Sequence, residues 1–86
     1  MPEISRFFGI IVTMYHQDHD PPHFHARYGE YRAILSLESL DVIAGKIPNR
    51  AHALLIEWAL AHRQELRTNW QRAQTLEPLL PIAPLE

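Results

Sequence analysis

Residues 23–37, HFHARYGEYRAILSL, decide the fold. His23 to Tyr28 and Tyr31 to Leu37 read as two strands joined at Gly29-Glu30, a two-residue turn with its glycine first. That position needs a positive φ in hairpin turns whose twist matches the flanking strands. The turn also fixes the pairing: Tyr28 faces Tyr31, Ala26 faces Ala33 and Phe24 faces Leu35. This aromatic and aliphatic face is the core side. The opposite face carries His23, His25, Arg27, Arg32, Ile34 and Ser36.

Upstream, FFGIIVTMY (7–15) is β-branched and aromatic, with apolar residues at both alternating sets of positions. It predicts one strand over about residues 6–15, buried on both sides. Asp18 to Pro22, DHDPP, is a loop through which no helix can run. Downstream, a turn near Glu38 to Asp41 leads into a short strand, Val42 to Ala44, which Gly45 and Pro48 end. Asn49 is placed to cap a helix. From Arg50 to about Thr75 there is neither glycine nor proline, which predicts one long helix over 50–75, continuous or bent. Ala51, Leu55, Trp58, Ala59, His62, Leu66, Trp70 and Ala73 share a stripe at 3.6-residue spacing, so His62 reads as a core histidine.

The fold class is therefore α+β, a small antiparallel sheet of three to four strands packed on one long C-terminal helix. The first half of that helix is also apolar on its other side, through Leu54, Ile56, Leu60 and Ala61. That second face implies a partner interface, to a second copy or to another protein. In the tail, residues 76–86, Pro78, Pro81 and Pro84 recur at period three among Leu79, Leu80, Ile82 and Leu85. This suits an extended polyproline-like segment docked on its own domain.

Eighty-six residues make a single domain, 1–86, and an apolar content of 47% excludes a disordered chain. The absence of cysteine excludes disulfides and thiolate metal sites. The formal charge of −2 argues against a general polyanion binder, although Lys46, Arg50, Arg63, Arg67 and Arg72 outnumber Glu57 and Glu65 locally. Met1 to Arg6 lack a basic signal region and the apolar runs are too short to span a bilayer, so a cytoplasmic protein with no membrane partner is expected.

Four of the six histidines, His16, His19, His23 and His25, fall within ten positions. His23 and His25, two apart on a strand, send their rings to one face and can reach one ion, with Asp18, His19 and Asp20 close behind in the loop. Imidazole and carboxylate ligands suit Zn, Ni, Fe or Mn. The same face supports a second chemistry. Arg27 and Arg32 lie directly opposite each other and repel, so Glu30 or Glu38 is expected to neutralise them, or an anion to sit between them. Histidines beside arginines are also what phosphodiester cleavage needs, which makes His23, His25, Arg27 and Arg32 the catalytic candidates. A purely structural turn, with the histidines as hydrogen-bonding turn residues, also explains this segment and asks for no ligand. No Ser/His/Asp set and no glycine-rich phosphate loop is present.

The strings PEISRFFGI, DHDPPHFHARYGEYRA and WALAHRQELRTNWQRAQ resemble a family of short bacterial proteins known as domain-of-unknown-function family 4160, with PPHFHA its distinctive string. The residues that carry the resemblance are Arg6, Phe7, Gly9, Asp18, His19, Pro21, Pro22, His23, His25, Gly45, Trp58, His62 and Trp70. The resemblance implies no catalytic role for any of them. It does imply a two-gene, toxin–antitoxin-like module, in which this chain is the interaction component that binds the protein from the neighbouring gene. Two alternatives stand beside it: an RNA-cleaving toxin using the His/Arg sheet face, and a metal-binding domain built on His19, His23 and His25.

Overall fold

Gly9 divides the first apolar run. In the computed structural model, which describes residues 3–86 of the chain, Phe8 and Gly9 both take positive φ (48° and 79°). This is the backbone that a tight two-residue hairpin requires. The expected single strand over 6–15 is therefore two: β1 (Glu3–Phe7) and β2 (Ile10–Thr13), with Phe7 opposite Ile10. β3 (His23–Tyr28) and β4 (Tyr31–Ser36) pair in the register that the Gly29-Glu30 turn dictates, from Tyr28 opposite Tyr31 to His23 opposite Ser36.

β5 (Val42–Lys46) runs past the expected end at Ala44, with Gly45 inside it at φ +73°. A Cβ at Gly45 would collide with the Arg32 carbonyl oxygen, so glycine here lets β5 pair closely with β4 and does not end it. The sheet thus has five antiparallel strands in the order β1-β2-β3-β4-β5, where three to four were expected.

The long helix is also two. α1 (Asn49–Ala61) and α2 (Arg63–Gln74) meet at His62, whose φ −125° and ψ 27° leave the helical region. Neither glycine nor proline causes the break. The joint is held from outside the helix, by Arg63 donating from Nη1 to the carbonyls of Leu37 and Glu38 at 2.8 and 3.0 Å. Its Nδ1 2.6 Å from Glu65 Oε1, His62 is only half-buried and not a core residue. Asn49 is the first helical residue and not the cap. Pro48 precedes the helix, and no side chain caps it.

Both helices lie on one face of the sheet. Ile4, Phe7, Ile10, Val12, Phe24 and Leu35 pack with Leu55, Trp58 and Leu66 into one core. Trp58 is fully buried, with the rings of Phe7 and Phe24 at 5.3 and 6.0 Å. The tail lies against this core: Ile82 is buried, its N–H donates to the Ile4 carbonyl at 2.8 Å, and Trp58 Nε1–H donates to the Ala83 carbonyl at 2.9 Å. Among the described residues no helix is long and apolar enough to cross a membrane. No helix covers the middle of the other face, which leaves Arg27 and Arg32 exposed and His25 half-buried.

Candidate metal centre on the open sheet face

The loop between β2 and β3 is tied to the end of α2 at several points. Gln17 N–H donates to the Ala73 carbonyl at 3.0 Å, Gln74 Nε2–H to the Asp18 carbonyl at 3.0 Å, and His16 Nε2–H to the Glu77 carbonyl at 2.9 Å. Asp18 is thereby fixed from both sides, and its carboxylate turns toward β3.

His23 opens that strand, almost fully buried, its ring 5.2 Å from Trp70 and 5.3 Å from His25. Its Nδ1 lies 2.7 Å from the Pro21 carbonyl oxygen and its Nε2 lies 2.9 Å from Asp18 Oδ2. A carbonyl can only accept, so Nδ1 carries a proton. Nε2 then meets the carboxylate oxygen in one of two ways: with a proton it donates a hydrogen bond to Oδ2, and without one it leaves two acceptors facing each other. Two acceptors at that distance repel unless a second proton or a cation lies between them. His25, half-buried and edge-on to Tyr15 at 4.7 Å, brings its own Nε2 to 3.4 Å from the same Oδ2.

The ligand atoms of Asp18, His23 and His25 all lie within 4.8 Å of one another. Two donors each about 2.1 Å from one ion stand roughly 3.0 Å apart at a right angle and about 3.4 Å at the tetrahedral angle, which is the spacing that Asp18 Oδ2 keeps to His23 Nε2 (2.9 Å) and to His25 Nε2 (3.4 Å). Burial alone would raise the Asp18 carboxyl, but hydrogen bonds from His23, His25 and the His19 amide bring it below the usual carboxylate value. Asp18 therefore stays an anion, the form in which a carboxylate can hold a cation.

The structure brings together three of the five residues expected at a metal site. His19 is exposed and touches the other carboxylate oxygen, its Nδ1 3.2 Å from Asp18 Oδ1. Asp20 is exposed in the loop and outside the cluster. The remaining histidines have structural partners: His16 on Glu77, His52 donating from Nε2 to the Leu40 carbonyl at 2.8 Å, and His62 on Glu65. Sequence reasoning missed Trp70 and Gln74, which reach the cluster from α2, and the Pro21 carbonyl, which holds His23 from within the loop.

Beside the cluster the open face forms a cleft of about 400 Å³, lined by His25, Tyr15, Arg27 and Arg32 among others. Arg27 faces Arg32 across the strands, as the turn requires. Glu38 does not neutralise them, because it pairs with Arg67 at 3.0 Å. Among the described residues neither arginine has an ion-pair partner, Glu30 included. On the helical side, Leu54 and Ile56 pack against the core, whereas Leu60 and Ala61 are exposed.

The family described as a domain of unknown function, DUF4160, matches residues 9–71. No curated protein and no solved structure matches the chain.

Proposed function

Because the chain belongs to the DUF4160 family, whose function is unknown, we propose its role from this geometry: it is a metal-binding protein that holds one divalent transition ion at Asp18, His23 and His25. The observation that carries the reading is the convergence of the Asp18, His23 and His25 ligand atoms within 4.8 Å, with His23 Nε2 turned to Asp18 Oδ2 by a ring whose other nitrogen donates to Pro21. A carbonyl fixing one imidazole nitrogen so that the other faces a metal is the usual outer-shell arrangement of ligating histidines. Two imidazoles and one carboxylate suit Fe, Zn, Ni or Mn. Three protein ligands leave coordination positions free, so a bound ion can take up a further ligand and polarise it as a Lewis acid. His25 lines the cleft, so that ligand arrives across the open sheet face.

The test is metal analysis of untagged protein, with titration by Zn²⁺, Fe²⁺, Ni²⁺ and Mn²⁺ after chelation. One equivalent bound by wild type, and at least a hundredfold weaker binding by His23→Ala/His25→Ala, is expected. Equal binding by the two proteins, or none by either, would refute the reading.

A second reading concerns partners. Leu60 is 60% exposed beside exposed Ala61 at the end of α1. This favours a protein contact there, the role of an interaction component in a two-gene module.

A further inference from the structure

The pairing of all five strands sets one register row across the open sheet. Arg6 stands opposite Ile11, Ile11 opposite Arg27, Arg27 opposite Arg32, and Arg32 opposite Lys46. Four cations and one isoleucine thus cross the sheet perpendicular to its strands. With strands about 4.8 Å apart, the row is roughly 19 Å long. Glu3 balances Arg6 at 2.9 Å. Arg27, Arg32 and Lys46 have no carboxylate partner among the described residues. The whole chain carries a formal charge of −2, so this positive line is segregated against the average. Holding like charges side by side is unfavourable unless something anionic meets them.

We propose that this row binds the sugar–phosphate backbone of single-stranded RNA laid across the strands. One phosphate cannot meet cations spread along a row of roughly 19 Å, whereas successive phosphates of one strand can meet several. Arginine suits the task because its planar fork matches phosphate oxygens two at a time. Ile11 and Ile34 give the cleft an apolar floor, and Tyr15, 42% exposed at its rim, offers a ring on which a base can stack. An acidic peptide fits less well, since extended peptides add along a sheet edge and do not cross its face.

The next row on the same face contains His25, two residues from Arg27 and so about 6.7 Å along the strand. RNA held on the arginines therefore lies against the Asp18–His23–His25 cluster. The inference deepens the metal reading by naming the ligand that comes to the centre, and rests on that reading only for what the RNA meets there.

Fluorescence anisotropy with an oligouridine of roughly ten nucleotides tests it, at several salt concentrations, with chelated and Zn²⁺-loaded protein. Binding by wild type is expected in both states. Arg27→Ala/Arg32→Ala should bind at least tenfold more weakly, with the slope of log K against log salt reduced by about 1.4, or ~0.7 per lost phosphate contact. The double variant should melt no lower than wild type, because it relieves a repulsion, and should bind Zn²⁺ as wild type does. Arg50→Ala, an exposed cation on the helical side, should leave RNA binding unchanged. The proposal is overturned if wild type does not bind the oligomer at low salt. It is also overturned if Arg50→Ala weakens binding as much as the double variant, or if a polyglutamate peptide competes as well as RNA. Failure of Zn²⁺ binding with RNA binding intact sinks the metal reading alone, and the reverse result sinks this one alone.

Discussion

Asn69 and Leu80 exchange two hydrogen bonds: the Asn69 amide donates from Nδ2 to the Leu80 carbonyl, and Leu80 N–H donates to Asn69 Oδ1, both at 2.8 Å. One buried side chain thus imitates the edge of a strand and clips the tail to α2. Asn69→Ala should lower the unfolding free energy by about 1–3 kcal/mol, the usual consequence of leaving buried groups unpaired. Asn69→Asp should do more harm, because a carboxylate then faces the Leu80 carbonyl. Urea denaturation distinguishes the three proteins. An Asp variant as stable as wild type would mean that the tail is not held this way.

Gly45→Ala should destabilise by about 1–3 kcal/mol, since the residue needs positive φ and its Cβ would meet the backbone of β4. At Gly9 an added Cβ would meet the Tyr28 ring at 3.5 Å, an ordinary contact, so Gly9→Ala is strained only through its φ of 79°. It should cost about 1 kcal/mol. Thermal melts of the two variants give the comparison, and the reverse order would contradict the account of β5.

Glu38 supplies a pH dependence whose sign can be worked out. The hydrogen bond from Arg67, opposed by burial and helped by the charges of Arg67 and Arg63, holds its carboxyl below the usual glutamate value. A carboxyl depressed on folding stabilises the protein above its unfolded pKa, and that contribution is lost as pH falls through the lower, folded pKa. Glu38→Gln should therefore melt below wild type at neutral pH, and the gap should close under about pH 4. The group is exposed, so the gap should be small and shrink in high salt. A gap that persists at pH 3 would assign the effect to something other than charge.

Leu60→Glu should leave the melting temperature nearly unchanged, within about 0.5 kcal/mol of stability, as for surface positions generally. Any self-association or copurifying protein should be lost in the same variant. Sedimentation of the two proteins reads both outcomes.

The hairpin around Gly29-Glu30 was legible because alternation of side chains and a glycine-first turn agree on one register. The β1–β2 hairpin was hidden because Phe8, a bulky aromatic, occupies a left-handed turn position that such residues seldom take. Only Gly9, alone inside a strand-like run, marked the place. The joint at His62 left no trace, since the groups that hold it, on Leu37 and Glu38, are far away in the chain. Of the metal-site residues, His23 and His25 were legible from their two-residue spacing. Asp18 could not be separated from His19 and Asp20, because neighbouring loop residues point in unrelated directions until something fixes them. Gln74 and Ala73 do that fixing from the end of α2, where nothing in sequence announces it.

The strand order β1-β2-β3-β4-β5 means that every strand pairs with its neighbour in the chain. No pairing waits for a distant segment, so the sheet can assemble by successive local zippering, with little loop-closure entropy lost at each step. Sheets built this way belong among the faster-folding β topologies. The contacts that dock the tail, Ile82 on Ile4 and Trp58 on Ala83, close over a sheet already formed. Weakening them should therefore speed unfolding far more than it slows refolding.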